Sequence, residues 1–173
     1  CLAVESFLSQ KASFFSDMLS EKSVELMKLA LDGSKSLEVT TPEETLLSQA
    51  GSLASIAAAT SSVGIATLLS TTLNARYKIS RALVASILFP YVIEDAKKYK
   101  AEKLKRIAVK MGASDVNHSA EEAAQAFADS IRQRLAKANL PTRLKELSLT
   151  VDQLALVAED AGQLDIMNGL PRS

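Results

Sequence analysis

The sequence has one cysteine, one histidine, no tryptophan, six glycines and four prolines in 173 residues. Each scarcity closes a route. A single cysteine cannot form an internal disulfide, so the cytosol is the expected compartment. So few glycines and prolines cannot supply the turns that a β-sandwich or barrel places roughly every 8–12 residues. An excess of charge is also missing. Twenty basic residues balance twenty acidic ones, which leaves no electrostatic reason to expect nucleic acid or anionic lipid as a partner. Neither a Gly-x-Gly-x-x-Gly motif nor a sustained period-two alternation occurs, so no dinucleotide-binding unit is expected within these residues.

What remains is rich in alanine, leucine and serine, which favours helices. A first helix is expected over residues 2–9 and a second from a cap at Ser16, with Asp17 at its positive end. Met18, Leu19, Val24, Leu26, Met27, Leu29, Ala30 and Leu31 form the expected apolar side of this second helix, and Asp32-Gly33 its stop. Residues 33–40 read as a polar loop. Thr41-Pro42-Glu43-Glu44 gives a start signal, with Thr41 as N-cap and Pro42 at the first helical position. That helix runs to Thr60, and Ala50, Gly51, Ala54, Ala57 and Ala58 let it approach a neighbour closely. Residues 61–64 break it and 65–73 resume.

A nearly all-apolar, central helix is expected over residues 80–93, with Pro90 either kinking it or beginning a new turn. The charged stretch 94–99 then exits to the surface, and 101–111 forms an amphipathic helix that Gly112 ends. Ser119-Ala120-Glu121-Glu122 caps a helix to about Ala138, residues 140–144 make a loop feeding a short turn, and Thr150 caps a last helix over 151–161. Residues 164–173 read as coil. The expectation is one all-α domain, residues 1–173, of seven to nine helices, probed at no point by a linker or repeat.

From Thr45 to Ala75 there is no charged residue. The length suits a bilayer, but Ser48, Gln49, Ser52, Ser55, Thr60, Ser61, Ser62, Thr67 and their neighbours match lipid poorly, and Gly64 breaks the run. A helix pair inside a protein core is the expected outcome, with no membrane partner. The opening Leu2-Ala3-Val4-Glu5-Ser6-Phe7-Leu8 reads as the middle of an amphipathic helix, so a fragment cut inside a helix is expected rather than a lipid-anchored Cys1, which a polar linker would follow.

Four segments, in order, give the chain a family likeness: "LAVESFLSQKASFFSDMLSEKSVELM", "GIATLLSTTLNARYKISRALVASILFPYVIEDA", "NLPTRLKELSLTVDQLALVAEDA" and the closing "NGLPRS". Together they resemble the helical C-terminal domain of iron-containing (group III) alcohol dehydrogenases. The resemblance implies a dehydroquinate-synthase-like multi-helix bundle. It also implies an oxidoreductase ancestry in which one Asp and three His hold a divalent metal that polarises the alcohol oxygen, so that hydride can leave for a nicotinamide cofactor. The implied cofactor, NAD(P), sits mainly on a separate N-terminal α/β domain, so none is expected in this chain. That domain is the implied partner, in the same polypeptide or as a separate chain, with a homo-oligomer left open.

Carried over position by position, the family Asp falls before Cys1 and cannot be read, the three metal histidines fall at Leu2, Thr67 and Arg81, and a further histidine near the cofactor or substrate falls at Thr71. Leu has no donor atom, a Thr hydroxyl is a poor ligand for a transition metal, and Arg carries a permanent positive charge. The chain is therefore expected to bind no metal and to be inactive alone. The alternative is a metal-free binding or scaffold subunit, or a repurposed pocket around Thr67, Thr71 and Arg81 with a non-redox activity; the catalytic residues are unassigned. An Arg at a cation's place suggests a carboxylate, a phosphate or an internal ion pair, and a partly buried Arg paired with a nearby carboxylate is the plainer expectation.

Four further features read as structural. His118, in Asp115-Val116-Asn117-His118-Ser119, is expected to be exposed before a helix. Cys1 lacks a neighbouring base for nucleophilic chemistry. The basic cluster Lys97, Lys98, Lys100, Lys103, Lys105 and Arg106 is interleaved with acids and reads as a solvated face. Tyr77 and Tyr91 read as core or rim packing.

Overall fold

The computed structural model describes residues 1–32, 41–164 and 170. Among them the chain is all-helical: α1 (Leu2–Leu8), α2 (Phe14–Asp32), α3 (Glu43–Thr60), α4 (Ile65–Tyr77), α5 (Arg81–Lys110), α6 (Ala120–Lys137) and α7 (Val151–Gly162), with a 3-10 turn at Leu144–Leu147. The loop expected over 33–40 and most of the terminal coil lie outside the described residues.

The short α1 is the hub. Ala3, Val4, Phe7 and Leu8 are all buried, and they pack with Val24, Ala54, Phe89, Ile93, Leu104, Ile107 and Phe127 from the surrounding helices. The Phe89 and Phe127 rings meet edge to face at 5.7 Å and join α5 to α6. A smaller cluster forms around Leu73, Val84 and Val157, where α4, α5 and α7 meet.

Capping chemistry sets the helix ends. Ser119 and Glu122 close a capping box on α6, and Thr150 and Gln153 do the same on α7. Gly112, at φ 73, ends α5: the Ala113 amide reaches the Ala108 carbonyl and the Gly112 amide reaches Val109. Two sequence expectations shift by a few residues. The α2 cap is Ser13, whose hydroxyl accepts the Ser16 amide at 3.3 Å while Ser16 Oγ accepts the Ser13 amide at 2.8 Å. At α3 the N-cap is Pro42, and no side chain caps the helix.

Other expectations are corrected by packing. The buried face of α2 is lined by Ser16, Ser20, Ser23, Val24 and Ala30, while Met18 and Leu31 are exposed. The partner α3 turns Ala50, Ala54 and Ala57 inward, so the facing surface must also be small for the two backbones to come close. Ser23 donates to the Ala50 carbonyl at 2.7 Å across this contact. The second long helix does not end after Ile93. It passes through Pro90 and the 94–99 stretch and bends at Lys100 (φ −134°, ψ 29°). Pro90 is itself buried, and having no N–H it cannot donate to the Ser86 carbonyl one turn back.

The basic cluster is only partly a solvated face. Lys103 reaches Asp17 at 2.9 Å, Arg106 pairs with Glu21, and Lys110 with Glu25 at 2.5 Å, so acids spaced four apart on α2 meet bases spaced three and four apart on α5. Lys103 also donates to the Phe7 carbonyl at 2.7 Å. Among the described residues no single helix is long and apolar enough to cross a membrane; α3 and α4 qualify only as a pair, and they meet at a 101° bend.

Candidate functional site

The α3–α4 bend places the N-terminus of α4 directly beside α1. The cap residue of α4, Gly64, has no side chain to satisfy the first amides of the helix. Glu5 supplies that function from a distance. Its carboxylate, 2% exposed, accepts the Ala66 amide at 2.7 Å, the Thr67 amide at 3.3 Å and the Thr67 hydroxyl at 2.5 Å. A helix N-terminus favours a carboxylate through its unpaired amides and dipole. Burial pushes the Glu5 carboxyl above its ordinary value, against the pull of the Thr67 hydroxyl and the Ala66 amide. Gly64 leaves room for this contact: a Cβ there would lie 2.5 Å from the Glu5 carboxyl carbon.

On one side of this capped terminus lies an open cavity of about 610 Å³. Leu2 from α1, Thr67 from α4 and Arg81 from the first turn of α5 all line it. Three positions separated by 65 and 14 residues in sequence thus face one space. Ser55, Ser70 and Ser86 add hydroxyls, and Ala58, Val63 and Ala85 add apolar wall.

Thr71 does not belong to this lining. It is exposed, and its hydroxyl donates back to the Thr67 carbonyl at 2.8 Å, as helical threonines commonly do. Arg81 is exposed, and no carboxylate among the described residues pairs with it, so the plainer expectation of a half-buried internal ion pair is corrected. The reason is positional: α5 begins at Arg81, and the cavity it faces is lined by no Asp or Glu among the described residues.

On the other side of Glu5, a second pocket of about 360 Å³ is walled by Leu8, Ile65, Leu69, Leu88 and Val92. Tyr91 stands at its rim, half exposed, with the Arg132 guanidinium 5.4 Å from its ring centre. Tyr77 packs into the α4–α5–α7 cluster.

The residues present do not fit an iron or zinc ion. Leu2 offers no donor atom, the Thr67 hydroxyl is committed to Glu5, and Arg81 brings a positive charge to the same space. Among the described residues no three of His, Cys, Asp and Glu come together. His118 is exposed at the surface, its Nδ1 3.0 Å from Ser114 Oγ. Cys1 lines the cavity, and no histidine does.

Glu5 is the residue that sequence reasoning passed over. Its signal was a lone carboxylate inside the otherwise uncharged run Leu2–Leu8, which demands a buried partner.

Comparison with known proteins adds to this geometry. The family described as "Fe-containing alcohol dehydrogenase family, C-terminal" matches residues 1–173. Among solved structures, a 1,3-propanediol oxidoreductase is similar at 22% identity with a TM-score of 0.88, covering 99% of this chain and 45% of that one. An alcohol dehydrogenase from Oenococcus oeni is similar at 20% identity and a TM-score of 0.88, with the same coverages. A sulfoacetaldehyde reductase from Bifidobacterium kashiwanohense, solved in complex with NAD+, is similar at 18% identity and a TM-score of 0.70, covering 99% and 43%. The chain thus spans less than half the length of these structures. No curated protein sequence matches it.

Proposed function

The chain belongs to the iron-containing alcohol dehydrogenase family, as its C-terminal helical domain, and from that premise we propose that it is the helical part of an oxidoreductase-like protein whose metal centre has been lost. The observation that carries this reading is the meeting of Leu2, Thr67 and Arg81 at one cavity. Had these substitutions been scattered, each would be an isolated change. Gathered around one space, they remove every readable ligand together and add a cation where a cation would bind.

Under this reading the chain alone does not transfer hydride. A nicotinamide cofactor would be held by an N-terminal α/β domain, in the same polypeptide or a separate one, and the helical domain would supply the wall facing it. Glu5 acts here as a fixed cap that holds the α4 terminus, and with it Thr67, against α1. A cytosolic location accords with the single cysteine.

The test is turnover by the protein expressed from its complete coding sequence. Reduction of NAD+ or NADP+ is followed with short primary alcohols, with and without added ferrous iron or zinc. No metal-stimulated turnover is expected; turnover that rises with either metal overturns the reading. A second reading, a pocket reused for different chemistry, is favoured by the unpaired Arg81.

A further inference from the structure

We propose that the cavity bordered by Leu2, Thr67 and Arg81 binds a small anion, a carboxylate or phosphate carried on a short hydroxyl-bearing carbon skeleton, with Arg81 as its charge partner. The inference rests on the reading that no metal occupies this space.

Four observations point the same way. Arg81 is the only charged side chain among the described residues lining the cavity. Its guanidinium has no carboxylate partner among the described residues, whereas Arg76, Arg106, Arg132 and Arg134 each close on an Asp or Glu. A guanidinium presents a rigid fork of donors matched to carboxylate and phosphate oxygens.

The second observation is the start of α5. Ser80 caps the helix by accepting the Leu83 amide at 3.4 Å. The Arg81 and Ala82 amides find no acceptor among the described residues, and both residues line the cavity. Free amides and the positive helix end therefore stand beside the guanidinium, and both favour an anion.

The third observation fixes the rest of the ligand. Every hydroxyl on the lining donates inward: Ser55 to the Gly51 carbonyl, Thr67 to Glu5, Ser70 to the Thr67 carbonyl and Ser86 to the Ala82 carbonyl. Their protons are committed, so what they turn to the cavity is acceptor lone pairs. A ligand must bring donors of its own, which alcohol groups do and a bare oxyanion does not. The fourth is size. About 610 Å³ is in the range of small-molecule sites, with Leu2, Val63 and Ala85 as apolar wall for a short skeleton.

The test is titration calorimetry on the protein expressed from its complete coding sequence, with glycerate, glycerol 3-phosphate, inorganic phosphate and glycerol as probes. Glycerate or glycerol 3-phosphate is expected to bind, and the tighter of the two identifies the head group. Arg81→Gln should weaken that binding about tenfold or more, Arg81→Lys should give an intermediate loss, and Arg143→Gln, at an exposed position outside the cavity, should change nothing. Unchanged affinity in Arg81→Gln overturns the proposal, as does glycerol binding equally well, or inorganic phosphate matching glycerol 3-phosphate. Absence of binding by both glycerate and glycerol 3-phosphate at millimolar concentration also overturns it. Metal content separates the two readings. Stoichiometric iron or zinc defeats the metal-loss reading, while a metal-free protein that ignores both probes defeats only this one.

Discussion

Thr67 donates its hydroxyl to Glu5 at 2.5 Å, across 62 residues of sequence, and the same carboxylate takes the neighbouring Ala66 amide at 2.7 Å. This pair joins the hub helix to the wall of the cavity. Glu5→Ala would leave two amides and a hydroxyl without their acceptor in a buried place. A loss of about 2–4 kcal/mol is expected in urea unfolding. Glu5→Gln keeps one acceptor oxygen and should lose clearly less. Equal losses for the two variants would mean that the carboxylate is not acting as a cap.

The same residue carries a pH dependence of defined sign. Burial raises the Glu5 carboxyl above its ordinary 4.5, so the folded state holds its proton more tightly than the unfolded chain does. The stability it contributes is complete below pH 4.5 and is lost as pH rises through the folded value. Glu5→Gln removes that titration. The stability difference between variant and wild type should therefore move in the variant's favour as pH rises from 4.5 through the folded value, and a difference that stays constant as pH rises contradicts the assignment.

Gly64 is the steric counterpart of Glu5. A methyl group there would sit 2.5 Å from the carboxylate, far inside contact distance. Gly64→Ala should destabilise by about 1–3 kcal/mol through overpacking. In the double variant with Glu5→Ala part of that cost should vanish, because the clash partner is gone; strict additivity in the cycle would place the strain elsewhere.

The α2–α3 contact separates two serines that sequence alone treats alike. Ser23 donates to the Ala50 carbonyl, whereas Ser20 Oγ is buried without a hydrogen-bond partner among the described residues. Ser23→Ala is expected to cost about 1 kcal/mol, and Ser20→Ala to be neutral or stabilising. Chemical denaturation of both single variants checks the order, and a larger loss at Ser20 would reverse the account of this interface.

The helices were legible in the sequence because their ends carry local chemistry: Ser119 with Glu122, Thr150 with Gln153, and Gly112 at positive φ. Their faces were harder to read. The apolar side expected for α2 is only in part its buried side: Val24 and Ala30 are buried, but Met18 and Leu31 are exposed and Ser16, Ser20 and Ser23 turn inward, facing the alanines of α3, a tertiary partner that periodicity does not see. Likewise the charged stretch after Ile93 looked like an exit, yet α5 continues because its acids and bases find partners on α2 and α6, such as Glu94 with Arg132 at 2.7 Å. The family likeness identified the positions Leu2, Thr67 and Arg81. Their common cavity, the exclusion of Thr71 from it and the role of Glu5 emerge only in the fold, where residues of α1, α4 and α5 meet although 65 and 14 positions separate them in sequence.

The most direct test of the central claim is the metal content of the protein, expressed from its complete coding sequence and purified without chelators, measured by inductively coupled plasma mass spectrometry. A lost metal centre predicts iron and zinc together far below one atom per chain, before and after incubation with either ion. One tightly held iron or zinc per chain would contradict it.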